Sequence, residues 1–167
     1  MERKIGDKSQ SIQYKIIGSF MAIFFVATIV VEIILIFLLR SNYYSSVESY
    51  LRSQVKYSQE IYTSYLADYS LEEAVLEDKD QFYRSDVLQV QILDNSGKVL
   101  LDNLGTNLVG QVIDTKDVTD AKTSKPATNI YLPSYYGYKV MADSAPLYNR
   151  TEQVGIIRLI TSLELVD

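Results

Sequence analysis

The feature that most constrains this chain is an uninterrupted apolar run of 24 residues at positions 16–39. Ile, Leu, Phe and Val make up 17 of these residues, and Glu32 is the one charged residue among them. At about 1.5 Å per residue a helix of this length spans roughly 36 Å, more than the hydrocarbon core of about 30 Å. The favourable transfer of the apolar side chains outweighs the cost of one carboxyl group. The run predicts a transmembrane helix, which stays attached because no small-x-small cleavage site follows it.

Basic residues on the two sides of the run indicate its orientation. Four precede it and three follow it over a similar distance: Arg3, Lys4, Lys8 and Lys15, then Arg40, Arg52 and Lys56. The positive-inside rule then favours a cytoplasmic N-terminus and an extracytoplasmic C-terminal domain in the cell membrane. Glu32, roughly 10 Å from the helix end, is either a transmembrane signalling contact or a carboxyl group tolerated near the outer leaflet.

Two residue types are missing, and their absence excludes much chemistry. The chain has no histidine and no cysteine, so it contains no Ser-His-Asp triad, no phospho-acceptor histidine and no thiolate or imidazole metal ligand. It also lacks the glycine-rich signatures of nucleotide-binding loops. Residues 41–167 hold 11 basic and 18 acidic residues, a balance that disfavours nucleic-acid binding. We predict no catalytic residue, no metal and no cofactor in these residues.

The residues after the apolar run favour helices. Residues 41–70 contain no proline or glycine, so we expect a long amphipathic helix that continues the transmembrane helix. Its expected buried stripe runs through Val47, Tyr50 or Leu51, Gln54, Ser58, Ile61, Tyr65 and Tyr69. A second, short helix is expected from Leu71 onward, where acidic and apolar residues recur at helical spacing.

Strand signals begin at residue 86. Residues 87–94 and 98–103 are joined by the turn sequence DNSG, which predicts a β-hairpin. Further strands are expected at 128–132, 137–145 and 153–161, with a short helix at 117–125 and a turn at 148–152. The short connections favour an α+β domain with a mainly antiparallel five-stranded sheet and helices on one side. The predicted parts are a cytoplasmic tail (1–15), the transmembrane helix (16–39), a helical region (40–85) and the sheet domain (86–167).

Four sequences follow one another in the last half of the chain: QILDNSGKVLLDN, NLVGQVI, YGYKVMADSAPLYN and EQVGIIRLITSLELVD. This ordered set resembles the extracytoplasmic PAS-like sensor domain (the Cache or PDC family) of bacterial membrane receptors, most closely of two-component sensor histidine kinases. The pattern D-x-x-G-x-V-L-x-D matches residues 94–102, the loop glycine matches Gly110, and the final hairpin matches residues 145–158. The resemblance implies a PAS-like fold, a homodimer and a small-molecule or envelope ligand. It also implies a second membrane span and a kinase core, so we expect this chain to be part of a longer receptor.

The resemblance places a ligand between the sheet and the long loop that carries the short helix. The matching positions are Tyr131, Tyr136, Tyr138, Val140 and Arg158. A guanidinium among apolar neighbours can bind a ligand carboxylate through two hydrogen bonds. The alternative for Arg158 is an ion pair with Glu164, Asp143 or an acidic residue of a helix, and the alternative for the tyrosines is core packing.

The function expected from these features is the sensing part of a receptor that relays ligand or envelope state across the membrane by helix displacement. Whether the parent protein is an enzyme is left open. One alternative attaches the same sensor to a chemoreceptor or a cyclic-dinucleotide enzyme. Another makes the chain a stand-alone, membrane-tethered regulator.

Overall fold

A computed structural model describes residues 6–77, 87–105, 107–133 and 137–164 of the chain. The chain divides into two compact units, Met1–Tyr44 and Ser45–Asp167. Its helices are α1 (Gly6–Ile61), a π-helical turn (Tyr62–Leu66), α2 (Leu71–Glu77) and α3 (Lys116–Lys122). Its strands are β1 (Gln89–Leu93), β2 (Val99–Asp102), β3 (Ala127–Tyr131), β4 (Val140–Asn149) and β5 (Glu152–Ser162).

The part of α1 in the first unit contains the predicted transmembrane run. Its large apolar side chains are exposed, as Phe20 (75%) and Phe37 (72%) illustrate. The Ser19 hydroxyl donates a hydrogen bond to the carbonyl of Ile16, and the Thr28 hydroxyl donates one to the carbonyl of Phe24. These polar groups are therefore satisfied within the helix, as a lipid environment requires. Among the described residues, one helix is long and apolar enough to cross a membrane, and it is this one.

The part of α1 in the second unit buries one face together with the π-helical turn. The buried positions recur every three or four residues, at Leu51, Val55, Ser58, Tyr62 and Leu66, as helical geometry dictates. The predicted helix is confirmed, but its predicted stripe is wrong in part, because Tyr65 and Tyr69 are 73% and 47% exposed. Tyrosine is amphipathic, so periodicity alone assigned it to the core in place of aliphatic neighbours.

Helix α2 begins with a capping box, a reciprocal pair of hydrogen bonds. The backbone N–H of Glu73 donates to the Ser70 hydroxyl, while the Ser70 backbone N–H and hydroxyl donate to the Glu73 carboxylate. This S-x-x-E arrangement satisfies donors that the first helical turn leaves unpaired. The hydrogen bonds from Ser70 lower the pKa of the Glu73 carboxyl. The predicted short helix is confirmed over Leu71–Glu77, and the remainder of that prediction lies outside the described residues.

The five strands form one antiparallel sheet in the order β2-β1-β5-β4-β3. The predicted α+β fold with a five-stranded sheet is confirmed. At the turn between β1 and β2, the Asp94 carboxylate accepts hydrogen bonds from the backbone N–H groups of Ser96 and Lys98. Gly97 adopts φ 91°, and a Cβ there would approach the carbonyl oxygen of Ile113 to 2.8 Å. The turn therefore requires glycine at this position.

Strands β4 and β5 form a hairpin that is longer than predicted. They pair from Val140 and Ser162 to Asn149 and Glu152, so that only two residues remain for the turn. The predicted strand end at residue 145 is wrong, because β4 continues through Pro146, opposite Ile156. Strand β3 pairs with β4 over 140–144 only. Pro146 therefore lies beyond that pairing, where the missing N–H costs the sheet less.

The sheet has two faces, and α3 packs on one of them. Gln91, Ser144 and Arg158 lie opposite one another on β1, β4 and β5 and share this face, which we call the α3 face. A core cluster joins α3 to the sheet here, formed by Leu93, Val99, Val118, Ala121 and Ile156.

The opposite face, which we call the α1 face, carries Thr128, Asp143 and Leu159. Arg52 of α1 donates a hydrogen bond to the Thr128 hydroxyl, and Gln59 of α1 donates one to the carbonyl of Pro146. The expectation of helices on one side is therefore wrong. Every residue of β1 is buried, and a sheet buried on both faces needs a covering layer on each.

Candidate functional site

Arg158 lies at the centre of the sheet with its side chain fully buried. It belongs to β5, between Gln91 of β1 and Ser144 of β4. Burying an ionised side chain costs several kcal/mol unless it is paired and its hydrogen bonds are made. The surroundings of Arg158 therefore have to supply a counter-charge and several acceptors.

Four neighbours accept hydrogen bonds from the Arg158 guanidinium. Its Nε donates to Asp117 Oδ2 at 2.7 Å, and its Nη1 donates to Gln91 Oε1 at 2.9 Å. Its Nη2 donates to the hydroxyls of Thr115 and Tyr131, and the guanidinium carbon lies 5.4 Å from the centre of the Tyr131 ring. At least four of the five guanidinium N–H groups are thus used. We call these five residues the arginine network.

Asp117 supplies the counter-charge. It lies in the first turn of α3 and is fully buried, and its Oδ2 also accepts a hydrogen bond from the Ser144 hydroxyl at 2.7 Å. Burial has the largest single effect and lowers the pKa of Arg158, but the charges of Asp117 and Tyr131 and their hydrogen bonds together outweigh it and raise that pKa above its ordinary value. Asp117 Oδ1 is buried and has no hydrogen-bond partner among the described residues. The ion pair connects α3 to the sheet through Asp117 Oδ2, while Asp117 Oδ1 takes no part in it.

The polar contacts extend from the arginine network to the edge of the sheet. The amide nitrogen of Gln91 donates to Asp102 Oδ2 at 3.0 Å, and the amide nitrogen of Gln89 donates to both oxygens of the same carboxylate. Asp102 is the last residue of β2 and of the D-x-x-G-x-V-L-x-D pattern. A chain of polar side chains therefore runs from α3 through the sheet centre to its β2 edge.

The structure brings together some of the predicted site residues. Tyr131 and Arg158 are in contact, and Tyr138 packs with Tyr131 against a small apolar cluster of Val140, Ala142 and Ile160. Tyr136 lies outside the described residues. Glu32 lies on the exposed apolar part of α1, in the first unit. Of the partners considered for Arg158, the one observed is an acidic residue of a helix, Asp117.

Sequence reasoning missed Asp117, Gln91, Ser144 and Thr115 as parts of this site. Asp117 reads as a helix-cap residue because it opens a short helical pattern. Gln91 carried a usable signal, since glutamine in an otherwise apolar strand has to find a polar partner when it is buried. The pairing itself depends on residues that are 67 positions apart.

A second buried carboxylate, Asp143, lies on the α1 face. Its side chain is fully buried, and its Oδ1 accepts a hydrogen bond from the Thr128 hydroxyl at 3.0 Å. Its Oδ2 has no hydrogen-bond partner among the described residues. Burial is the main reason that the pKa of Asp143 is raised to about 6. In the described part of the chain, no three acidic side chains cluster as a metal site would require.

No protein-family model and no curated protein matches this sequence, but solved structures do. The sensory domain of the Campylobacter jejuni chemoreceptor Tlp3 with isoleucine bound aligns with a TM-score of 0.60 at 20% identity, over 79% of this chain and 58% of that one. The same domain in complex with 4-methylisoleucine gives 0.59 at 19% identity, over 79% and 57%. An extracellular ligand binding receptor from Desulfohalobium retbaense gives 0.58 at 11% identity, over 78% and 25%.

The chain thus spans a little over half of the Tlp3 domains and a quarter of the Desulfohalobium receptor. Identities this low leave the fold as the shared property. The α+β unit of this chain shares the fold of the Tlp3 sensory domain, which is consistent with the expected PAS/Cache-like fold.

Proposed function

We propose that this chain is the extracytoplasmic signal-sensing part of a membrane receptor, most specifically of a two-component sensor histidine kinase. The observation that carries the sensing role is the fold, which is that of ligand-binding sensory domains. The apolar run of α1 supports a membrane anchor. In this arrangement the N-terminus is cytoplasmic and the sheet domain is extracytoplasmic.

The proposed ligand site lies on the α3 face, around Tyr131, Tyr138 and Arg158. The family resemblance adds Tyr136, which lies outside the described residues. Arg158 already has Asp117 as its counter-ion, so a ligand carboxylate forms an ion pair with Arg158 by displacing Asp117. Asp117 belongs to α3, and its displacement moves α3 relative to the sheet. The ligand thereby favours one of two arrangements, which is what a sensor needs. Amino acids are the first candidates, because they bind the Tlp3 domain of the same fold.

The signal leaves the domain through α1. Hydrogen bonds from Arg52 and Gln59 connect α1 to β3 and β4, so a shift of the sheet displaces the helix. In a homodimer, the two copies of α1 would pass this displacement to the cytoplasm. Glu32 is the residue that we propose as the contact between helices inside the membrane.

The ligand site is tested by thermal unfolding of the full chain in detergent micelles against a panel of amino acids and small dicarboxylates. We expect a member of the panel to raise the unfolding temperature of the wild type but not of Arg158→Lys, which keeps the charge and loses the fork geometry. Arg150→Lys is the matched control, because Arg150 is an exposed arginine at the β4–β5 turn. A compound that stabilises the wild type and Arg158→Lys equally would rule out this site.

The orientation can be tested cleanly because the chain has no cysteine. Single cysteines are introduced at Ser9 and at the exposed Lys125 and reacted with a membrane-impermeant maleimide in whole cells. We expect Lys125→Cys to be labelled in intact cells and Ser9→Cys only after lysis. The reverse pattern would overturn the proposed orientation.

The output of the receptor is decided by the coding sequence beyond Asp167. A second apolar span followed by a histidine-bearing helix and an ATP-binding core supports the sensor kinase. A chemoreceptor signalling region or a cyclic-dinucleotide enzyme in that place supports the second candidate. A stop codon directly after Asp167 supports a membrane-tethered regulator.

A further inference from the structure

The α1 face holds a buried carboxylate that the ligand site does not use. Asp143 lies on the inner strand β4, between β5 and β3, with no exposed surface. Its only hydrogen bond among the described residues comes from Thr128, and its Oδ2 is buried without one. An ionised carboxylate is stable in such a place only with several donors or a close cation. Asp143 has one neutral donor.

The hydrogen bond to Asp143 is one link of a chain that ends on α1. Arg52 Nη2 donates to the Thr128 hydroxyl oxygen at 3.1 Å, and Thr128 in turn donates to Asp143 Oδ1 at 3.0 Å. Arg52 Nη2 also lies 3.1 Å from Glu48 Oε1, one turn earlier on the same helix. The negative charge of Asp143 thus attracts the Arg52 guanidinium, and the Thr128 hydroxyl lies between the two groups.

We propose that Asp143 is a proton-binding site of the extracytoplasmic domain, through which acidification weakens the Arg52–Thr128 contact between α1 and the sheet. Its place as a sensor input depends on the proposed function, whereas the protonation and its effect on α1 do not.

Protonation changes both the charge and the direction of the hydrogen bonds. An ionised Asp143 can only accept, so the Thr128 hydroxyl donates to it and keeps its oxygen lone pairs for Arg52. A neutral Asp143 can donate its own proton to the Thr128 oxygen, where it competes with Arg52. It also no longer attracts the guanidinium. Arg52 then retains Glu48, on its own helix, as its partner.

The charged groups around Asp143 agree with titration near neutral pH. Burial has the largest effect and raises the pKa of Asp143, and Glu48 on α1 and Asp117 on α3 raise it further. The Thr128 hydroxyl and the charge of Arg52 lower it. The balance leaves that pKa at about 6, within the range of environmental acidification.

A second contact between α1 and the sheet does not titrate. Gln59 Nε2 donates to the carbonyl oxygen of Pro146 at 2.6 Å, and neither group changes its charge between pH 5 and 8. Protonation therefore loosens α1 at Arg52 while Gln59 still holds it. The expected change is a weakening of the Arg52–Thr128 contact while α1 still covers Asp143, and the domain stays folded.

The test is backbone hydrogen exchange of the full chain in detergent micelles at a series of pH values, corrected for the intrinsic pH dependence of exchange and measured without added ligand. In the wild type we expect protection of residues 45–55 to fall several-fold as the pH decreases through about 6. Asp143→Asn, which is neutral at every pH, is expected to show the low protection throughout. Asp120→Asn is the control, because Asp120 is a partly exposed acid of α3 paired with Lys116, and it should behave as the wild type.

Protection that is independent of pH in the wild type, or a pH dependence that persists in Asp143→Asn, would overturn the proton site. If Asp143→Asn does not fold, Thr128→Val provides the second test, since it removes the link to Arg52 and should likewise abolish the pH dependence. A negative ligand panel or a reversed maleimide pattern contradicts the proposed function and leaves this result standing.

Discussion

Asp143 and Ser144 are consecutive residues of β4, yet their side chains lie on opposite faces of the sheet and join different polar networks. The Ser144 hydroxyl donates to Asp117 on the α3 face, while the Asp143 carboxylate accepts from Thr128 on the α1 face. Alternate residues of a strand point in opposite directions. One strand therefore contacts both the proposed ligand site and the proposed proton site.

The buried ion pair predicts a non-additive response to mutation. Asp117→Asn or Arg158→Met leaves the other charge buried without its partner and should lower the free energy of unfolding by about 3 to 5 kcal/mol. The double variant Asp117→Leu/Arg158→Met buries neither charge and should be less destabilised than either single variant. Thermal or urea unfolding of the full chain in micelles measures this, and additive losses would contradict the ion pair.

The raised pKa of Asp143 predicts that protonation of this group favours the folded over the unfolded state of the whole domain, although it weakens the single contact between Arg52 and Thr128. Its folded pKa of about 6 exceeds the ordinary value of 3.8, so this contribution is complete below about pH 4 and is lost as the pH rises through 6. The pKa difference corresponds to a contribution on the order of 2 to 3 kcal/mol. Asp143→Asn should therefore gain stability relative to the wild type between pH 4 and pH 7.

Unfolding curves of the two proteins at several pH values measure the difference. Asp120→Asn, which removes a partly exposed acid paired with Lys116, is the control for the loss of one carboxylate. A stability difference between Asp143→Asn and the wild type that does not change with pH would contradict the raised pKa.

The close approach of β5 to its neighbours predicts that Gly155 cannot be replaced. A Cβ at this position would lie 2.5 Å from the carbonyl oxygen of Leu93 and would also overlap the Leu71 side chain. Gly155→Ala should therefore lower the free energy of unfolding by about 3 kcal/mol or more, at the severe end of overpacking, because one of the two clashes is with backbone. Gly105→Ala is the comparison, since a Cβ there meets nothing within 4 Å.

Gly105 has φ 65°, so Gly105→Ala should cost about 1 kcal/mol from backbone strain alone. Equal effects of the two substitutions would argue against the tight contact at Gly155.

We predict that the hydrogen bond between Arg158 and the Tyr131 hydroxyl contributes measurably to the stability of the domain. Tyr131→Phe keeps the ring near Arg158 and removes the acceptor for its Nη2 group. Hydrogen bonds to charged groups contribute about 1.5 to 3 kcal/mol, so we expect Tyr131→Phe to lower the free energy of unfolding by an amount in this range. Tyr65→Phe, at a position 73% exposed, should change stability by less than about 0.5 kcal/mol. Equal effects at the two positions would contradict the contact.

Local patterns predicted most of the secondary structure. The DNSG turn, the helical spacing from Leu71 onward and the five β-type runs each depend on residues close in sequence. The errors arose where distant residues decide. The hairpin of β4 and β5 continues past Pro146 because β3 ends its pairing earlier, and Tyr65 is exposed because Leu66 takes the core position beside it.

The candidate site was predicted only in part, and the reason is again distance along the chain. Tyr131 and Arg158 were selected through a family resemblance, but the sequence left the partner of Arg158 open between a ligand carboxylate, Glu164, Asp143 and an acidic residue of a helix. Asp117 lies 41 positions away from Arg158, and only the packing of α3 on the sheet brings them together. The same packing decides that Asp143 faces α1 and not Arg158.

The sequence by itself determined the apolar run, the order of helices and strands, and the absence of histidine and cysteine chemistry. These are properties of composition and of short-range periodicity, which each segment carries whatever its neighbours are. The tertiary structure decided which buried charges meet. Burial makes an unpaired charge costly, so the fold that covers both faces of the sheet also selects Asp117 as the partner of Arg158. Within the described ranges of the chain, it leaves Asp143 with a single neutral donor.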